Sequence, residues 1–172
     1  MGNLALGPER GRRYHGRVTE PVVHLKVDGD DVRFAVASKI IHAGSLRKVR
    51  DALKHEPPRA EELEAAIDII EEFIMPVVRE LPAGGQLVSS SEAMLDVVRA
   101  IGGSAREIRH SRASGNPVSV EEVEALFNRL ADVATGMPAE TLGVPVSRSF
   151  ATHLLLLREV MHHGGFAGMR VV

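Results

Sequence analysis

The residues best placed to do chemistry lie between 86 and 101. Gln86-Leu87-Val88 has strand character, Ser89-Ser90-Ser91-Glu92 follows at once, and Met94, Leu95, Val98 and Ile101 then recur at helical spacing. A strand that turns directly into a helix presents the helix's free amides and partial positive charge, which can hold a phosphate, and three hydroxyls would add donors. A second reading of the same residues stands beside this one. Ser89 and Glu92 fit the S-x-x-E capping box, in which each side chain takes a free amide of the first turn, leaving Ser90 and Ser91 solvated. The Glu92 carboxylate competes with any anion for those amides, and the turn lacks glycine.

Other candidate groups point to chemistry less directly. The eight histidines show no H-E-x-x-H or comparable ligand spacing. His162 and His163 are adjacent, so on a helix they diverge by about 100°. With Gly164 next, they read as cationic groups suited to the end of a helix dipole. His153 reads as a partly buried imidazole beside Leu154 and Leu157. Asp28, Asp30 and Asp31 lack the twelve-residue loop of a calcium site. Arg106, Arg109 and Arg112 form a local positive patch in a polar stretch.

Composition removes whole classes of function. The 172 residues suit one domain, and 44% apolar with 26% charged residues is a globular mixture. No cysteine means no disulfide framework, thiolate zinc site or cysteine nucleophile. A net charge of −2 gives no basic field for nucleic acid or a membrane surface, and 3% aromatic residues leave little for base stacking. No apolar run approaches the roughly 18 residues of a membrane span. The first 17 residues have no continuous hydrophobic core after a basic region, so they do not read as a signal peptide and a cytoplasmic protein is expected.

The elements that position these residues follow from periodicity. Residues 21–27 and 32–37 flank the turn signal Asp28-Gly29-Asp30-Asp31 and read as a β-hairpin. Leu46, Val49 and Leu53 predict a short helix ending before Pro57-Pro58. Leu63, Ile67, Ile70, Ile74, Val77 and Leu81 form one apolar stripe, opposite an acidic face, with a kink or break expected at Pro76. Ser119 with Glu122 predicts a second capping box, before a helix using Val123, Phe127, Leu130 and Ala134. Ser147 caps a last helix with Phe150, Leu154, Leu157 and Met161 inward, stopped by Gly164-Gly165. Residues 169–172 read as a terminal strand. Helices between later strands imply crossovers, so the fold class is α/β, a mixed sheet with flanking helices. Residues 1–13 read as a basic arm or a degraded first strand, and 104–117 as a loop.

Three stretches together resemble one family, the exopolyphosphatase/guanosine pentaphosphate phosphohydrolase (Ppx/GppA) phosphatases. Residues 38–47, running on to 54–63 (KHEPPRAEEL), resemble the family's S-L-P-L-G-a-v-R-L segment and the D-P-P-t-x-E-E-L helix start. Residues 86–92 are placed like its strand and G-x-S-G-T turn. Residues 118–123 and 143–150 resemble its v-T-x-e-e-l helix and l-p-G-l-x-x-e-R-A-d segment. The resemblance covers residues 14–172 and implies one ribonuclease-H-like, actin-like lobe, the second of the family's two.

The departures are specific. The family's D-I-G-G-G-S-T-E loop, which holds metal and phosphate, corresponds to residues 13–20. Gly16, Thr19 and Glu20 match, whereas Arg13 replaces the metal-binding aspartate, His15 and Arg17 replace glycines, and Val18 replaces the serine. Side chains at 15 and 17 hinder the backbone approach that a phosphate cradle needs. The turn at 89–92 has lost its glycines, Phe150 replaces an acid, and the first lobe with its catalytic glutamate has no counterpart. The resemblance therefore implies a degenerate lobe with weak or no phosphoanhydride hydrolysis alone, and no catalytic residue is assigned. The remnants of a phosphate site would be Gly16, Thr19, Glu20, Ser89, Ser90, Ser91 and Arg148. Mg²⁺ is the cofactor that the family implies. A phosphate-containing ligand, a partner chain supplying the other lobe, or self-association are the expected partners, with no nucleic acid and no membrane.

Overall fold

A computed structural model describes residues 20–82, 84–102 and 117–172. The proposed arm at 1–13, the loop residues Arg106, Arg109 and Arg112, and the site candidates Gly16 and Thr19 lie outside the described residues.

Alternation builds the first two strands as expected. β1 (Val22–Asp28) and β2 (Asp31–Val36) pair antiparallel, with Val23, Leu25, Val27, Val32 and Phe34 buried on one face. A third strand, β3 (Lys39–Ser45), follows where the sequence predicts none. It is joined to β2 by Ala37 and Ser38, both at positive φ (48° and 66°). Two-residue hairpin turns favour that geometry, but normally with Asn and Gly. The β2–β3 register slips between Phe34 and Ala35, so the strand's own alternation is broken.

The short helix α1 (Arg47–Ala52) buries Val49, with Leu46 and Leu53 buried at its two ends. α2 (Ala60–Glu80) buries Leu63, Ala66, Ile70, Ile74 and Val77. The break expected at Pro76 does not occur: the helix runs through it to Glu80. Pro76 and Glu72 are both exposed, so the carbonyl that the proline cannot serve meets water. At the start of α2, Glu62 caps the helix from within. Burial of its carboxyl works against ionisation. The His55 imidazole (Nδ1 to Oε1, 2.6 Å) and the amides of Arg59 and His55 outweigh that and hold its pKa at about 2.

β4 (Gln86–Ser89) leads to α3 (Glu92–Gly102). The two-residue β5 (Val118–Ser119) precedes α4 (Val120–Ala134), which starts with the expected capping box of Ser119 and Glu122. A single turn, α5 (Ala139–Leu142), precedes α6 (Arg148–Gly164), and β6 (Gly168–Val171) ends the sheet. Ser147 caps α6 by accepting the Phe150 amide, and Gly165 terminates it with φ of 65°.

The sheet order is β3-β2-β1-β4-β6-β5, with β1, β4 and β6 parallel and the rest antiparallel. This is the mixed α/β architecture expected. Both parallel crossovers step the same way across the sheet, which puts their helices on one face. α6 lies at the centre of that layer, packed against α1, α2, α3 and α4. The opposite face carries, in one row of neighbouring strands, Ile40, Ala35, His24, Val88 and Arg170.

The β2–β3 turn can be improved because L-residues at positive φ are strained. Replacing Ala37-Ser38 by Asn-Gly raises unfolding stability by about 1 kcal/mol, read as an increased midpoint of urea denaturation.

Candidate functional site

In open sheets with parallel strands, ligand sites lie outside the carboxyl ends of those strands. Here that end comprises the β1–β2 turn and Ser89-Ser90-Ser91. Gly29 turns the chain at φ of 59°. The turn is fastened from two sides. Arg50 and Arg47 of α1 reach Asp30 Oδ2 at 2.7 and 4.0 Å, and His153 Nε2 of α6 lies 3.2 Å from the Gly29 carbonyl.

The serine turn folds differently from a capping box. Ser89 is the last residue of β4, and α3 begins at Glu92, two residues later than a box from Ser89 requires. β4 pairs with β1 only as far as His24 and Val88. Beyond that point the Val27 amide donates to Ser91 Oγ at 2.7 Å, so a hydroxyl takes the place of a strand carbonyl. The Ser91 amide donates to Ser89 Oγ, and Ser89 Oγ donates to Ser91 Oγ, both at 3.2 Å. Ser89 and Ser91 are buried and committed to this lock, while Ser90 is exposed. Glu92 pairs with Arg99 at 2.7 Å instead of reaching back to an amide.

The remaining site candidates are dispersed. Arg148 opens α6, its amide donates to Glu56 Oε1 at 2.8 Å, and its guanidinium lies 3.8 Å from the same carboxylate. Glu20 stands at the far end of the sheet, where it accepts from Gln86 Nε2 at 3.1 Å. A groove of about 280 Å³ opens there, lined by Glu20, Gly85, Gln86, Gly168 and Arg170 among others. Gln86 and Ser89 are the two ends of β4, so Glu20 and the serine turn are separated by the length of that strand.

The electrostatics of the carboxyl end do not suit a polyanion. Asp28, Asp31, Glu92 and Asp96 are exposed there. Arg50 is held by Asp30, and Arg99 by Glu92 and Asp96 at 2.7 Å each. No sequence signal marks His153 as a fastener of the β1–β2 turn. Only its place beside the apolar positions of α6 suggested partial burial.

No family model matches the chain, and no curated protein is detectably similar in sequence. Solved structures do match. Two crystal structures of the Aquifex aeolicus Ppx/GppA phosphatase superpose with TM-scores of 0.63 and 0.67 at 11% and 8% identity. In both, 89% of this chain covers 53% of the other. An exopolyphosphatase from Cytophaga hutchinsonii superposes with a TM-score of 0.58 at 15% identity, with 90% of this chain covering 53% of that one. The fold is that of half a Ppx/GppA phosphatase. The chain spans about half the length of these proteins, and identities this low speak for the fold alone. The actin-like architecture that the Ppx/GppA resemblance implied is thus present. Membrane-crossing helices are not found, since no helix among the described residues is long and apolar enough.

His153 makes the carboxyl end sensitive to acid. Burial lowers its pKa below the usual 6.5, against smaller opposing effects of the Gly29 carbonyl, Asp30 and Asp96. The unfolded chain therefore takes up a proton that the native chain refuses, and stability falls as pH drops below about 6.5 until the native imidazole is itself protonated. The His153→Gln variant loses less stability than the parent between pH 7.5 and 5.5, measured by urea denaturation at both values.

Proposed function

We propose that this chain is a degenerate Ppx/GppA-type lobe with weak or no hydrolysis of phosphoanhydrides by itself. The observation that carries the reading is the serine turn. Phosphoryl transfer requires donors and cations aimed at the developing charge, with a positioned nucleophile. At residues 89–91 two of three hydroxyls are locked into the strand junction, and Arg148 is held by Glu56. Among the described residues, the one convergence of three metal-ligating side chains lies elsewhere, between α2 and α6. The substitution of Arg13 for the family's metal-binding aspartate supports the same reading, because a guanidinium cannot ligate a divalent cation. With Mg²⁺ and either polyphosphate or guanosine pentaphosphate, the purified chain releases no phosphate above background in a colorimetric assay. Turnover at an ordinary enzymatic rate, about 1 s⁻¹ or faster, would overturn the proposal.

A second reading is that another polypeptide, or a second copy, completes the structure. The face of the sheet opposite the helices favours it. Ile40 is 57% and Val22 37% exposed there. Beside them lies a groove of about 270 Å³ lined by His24, Lys26, Arg33, Ala35 and Val88 among others. An apolar strip rimmed by cations on a sheet face is a surface that association would cover. Size-exclusion chromatography with light scattering gives a mass of two chains or more at micromolar concentration, and Ile40→Glu returns it to one. A monomer for both counts against self-association.

A further inference from the structure

The geometry points to a zinc site between α2 and α6, made by Glu71, Glu159 and His163. Glu159 and His163 are four residues apart on α6, so they stack on one face of the helix. The long contact between α2 and α6 brings Glu71 opposite them. His163 Nε2 lies 3.4 Å from Glu71 Oε1 and 3.4 Å from Glu159 Oε2, and the three ligand atoms all fall within 4.8 Å of one another.

The two separations from His163 match those within a coordination polyhedron. With metal–ligand bonds of about 2.1 Å, neighbouring ligands of a tetrahedral site stand about 3.4 Å apart. Two carboxylates and one imidazole are a ligand set that zinc accepts, with water in the fourth position. The imidazole disfavours magnesium and calcium, which prefer oxygen alone.

A second observation concerns the way Glu159 is held. It is 1% exposed, a buried carboxylate in the heart of the helical layer. Arg158 donates to its Oε1. Arg158 is fixed in turn, its guanidinium 4.4 Å from the Phe127 ring centroid and 3.0 Å from Glu124 Oε1. This support orients Oε2 toward His163, the arrangement by which neighbouring groups aim a metal ligand. Glu71 and His163, with side chains 44% and 26% exposed, open the site to solvent and give an ion a path in. Bound zinc would tie α2 to α6.

The test uses the full chain, freed of metal with a chelator and then exchanged into chelator-free buffer. Zinc chloride is titrated by isothermal calorimetry near pH 7.5. One ion binds per chain, and zinc raises the melting temperature. Glu71→Gln and His163→Gln each weaken binding by about tenfold or more and abolish the rise, with unchanged circular dichroism. His162→Gln, which alters the exposed neighbour, binds as the parent does. Glu71 and His163 are partly exposed, so their variants fold even if Glu159→Gln does not. Absence of binding, or equal affinity in the parent and both variants, would overturn the proposal and leave His163 as a plain ion-pair partner of the two carboxylates.

Discussion

Burial of α6 on every side is the constraint on which the rest of the structure depends. Leu154, Leu155, Leu156 and Leu157 are consecutive and all fully buried. Four successive helical positions point in four directions about 100° apart, so no single neighbour can cover them. The sheet takes one side, and α1, α2, α3 and α4 enclose the others. The amphipathic helices can remain amphipathic because α6 supplies the apolar surface against which each packs. The order of the sheet follows as well. Two crossovers that step in one direction place their helices on the same face, where the helix before β6 becomes the centre of the layer.

The same packing decides which polar groups remain free. A strand that diverges from its neighbour leaves amides without carbonyls, and a buried amide without a partner costs about 1–3 kcal/mol. Ser91 removes that cost at Val27, and Ser89 completes the junction. A phosphate-binding turn needs its donors directed outward, whereas this one has them directed into the sheet. Fold and chemistry therefore part company at one place. The fold shared with half of those phosphatases is supported by leucines, while the turn at residues 89–91 holds two strands together.

Much of this was legible in the sequence. The stripe from Leu63 to Val77, the caps at Ser119 and Ser147 and the alternation of the first hairpin each express a single local rule, and each is present. β3 was not legible. Its turn uses Ala37 and Ser38 where asparagine and glycine would announce a hairpin, and its register slip destroys the period of two. Gly44 within it is a packing requirement, since a Cβ there would meet the Phe73 ring. The S-x-x-E pattern at Ser89 had the right spacing but began within a strand, so pairing with β1 and β6 overrode the local preference. The approach of Glu71 to Glu159 and His163 was not legible, because Glu71 lies on another helix, 92 residues from His163 in sequence.

A net charge of −2 conceals a segregated surface. Glu61, Glu64, Asp68 and Glu72 line the exposed side of α2, whereas Lys26, Arg33 and Arg170 project from the open face of the sheet. Among the described residues those three cations have no carboxylate within ion-pair distance, while Arg50, Arg99, Arg148 and Arg158 each do. Desolvating an exposed ion pair yields little, but an unpaired cation beside apolar surface can still gain a partner. The sheet face and the outer side of α2 therefore carry opposite charge. The apolar strip through Ile40, Ala35 and Val88 then supplies area that charge alone does not. The two faces of the sheet thus differ in kind: one is covered by helices packed through leucines, the other joins apolar area to cations.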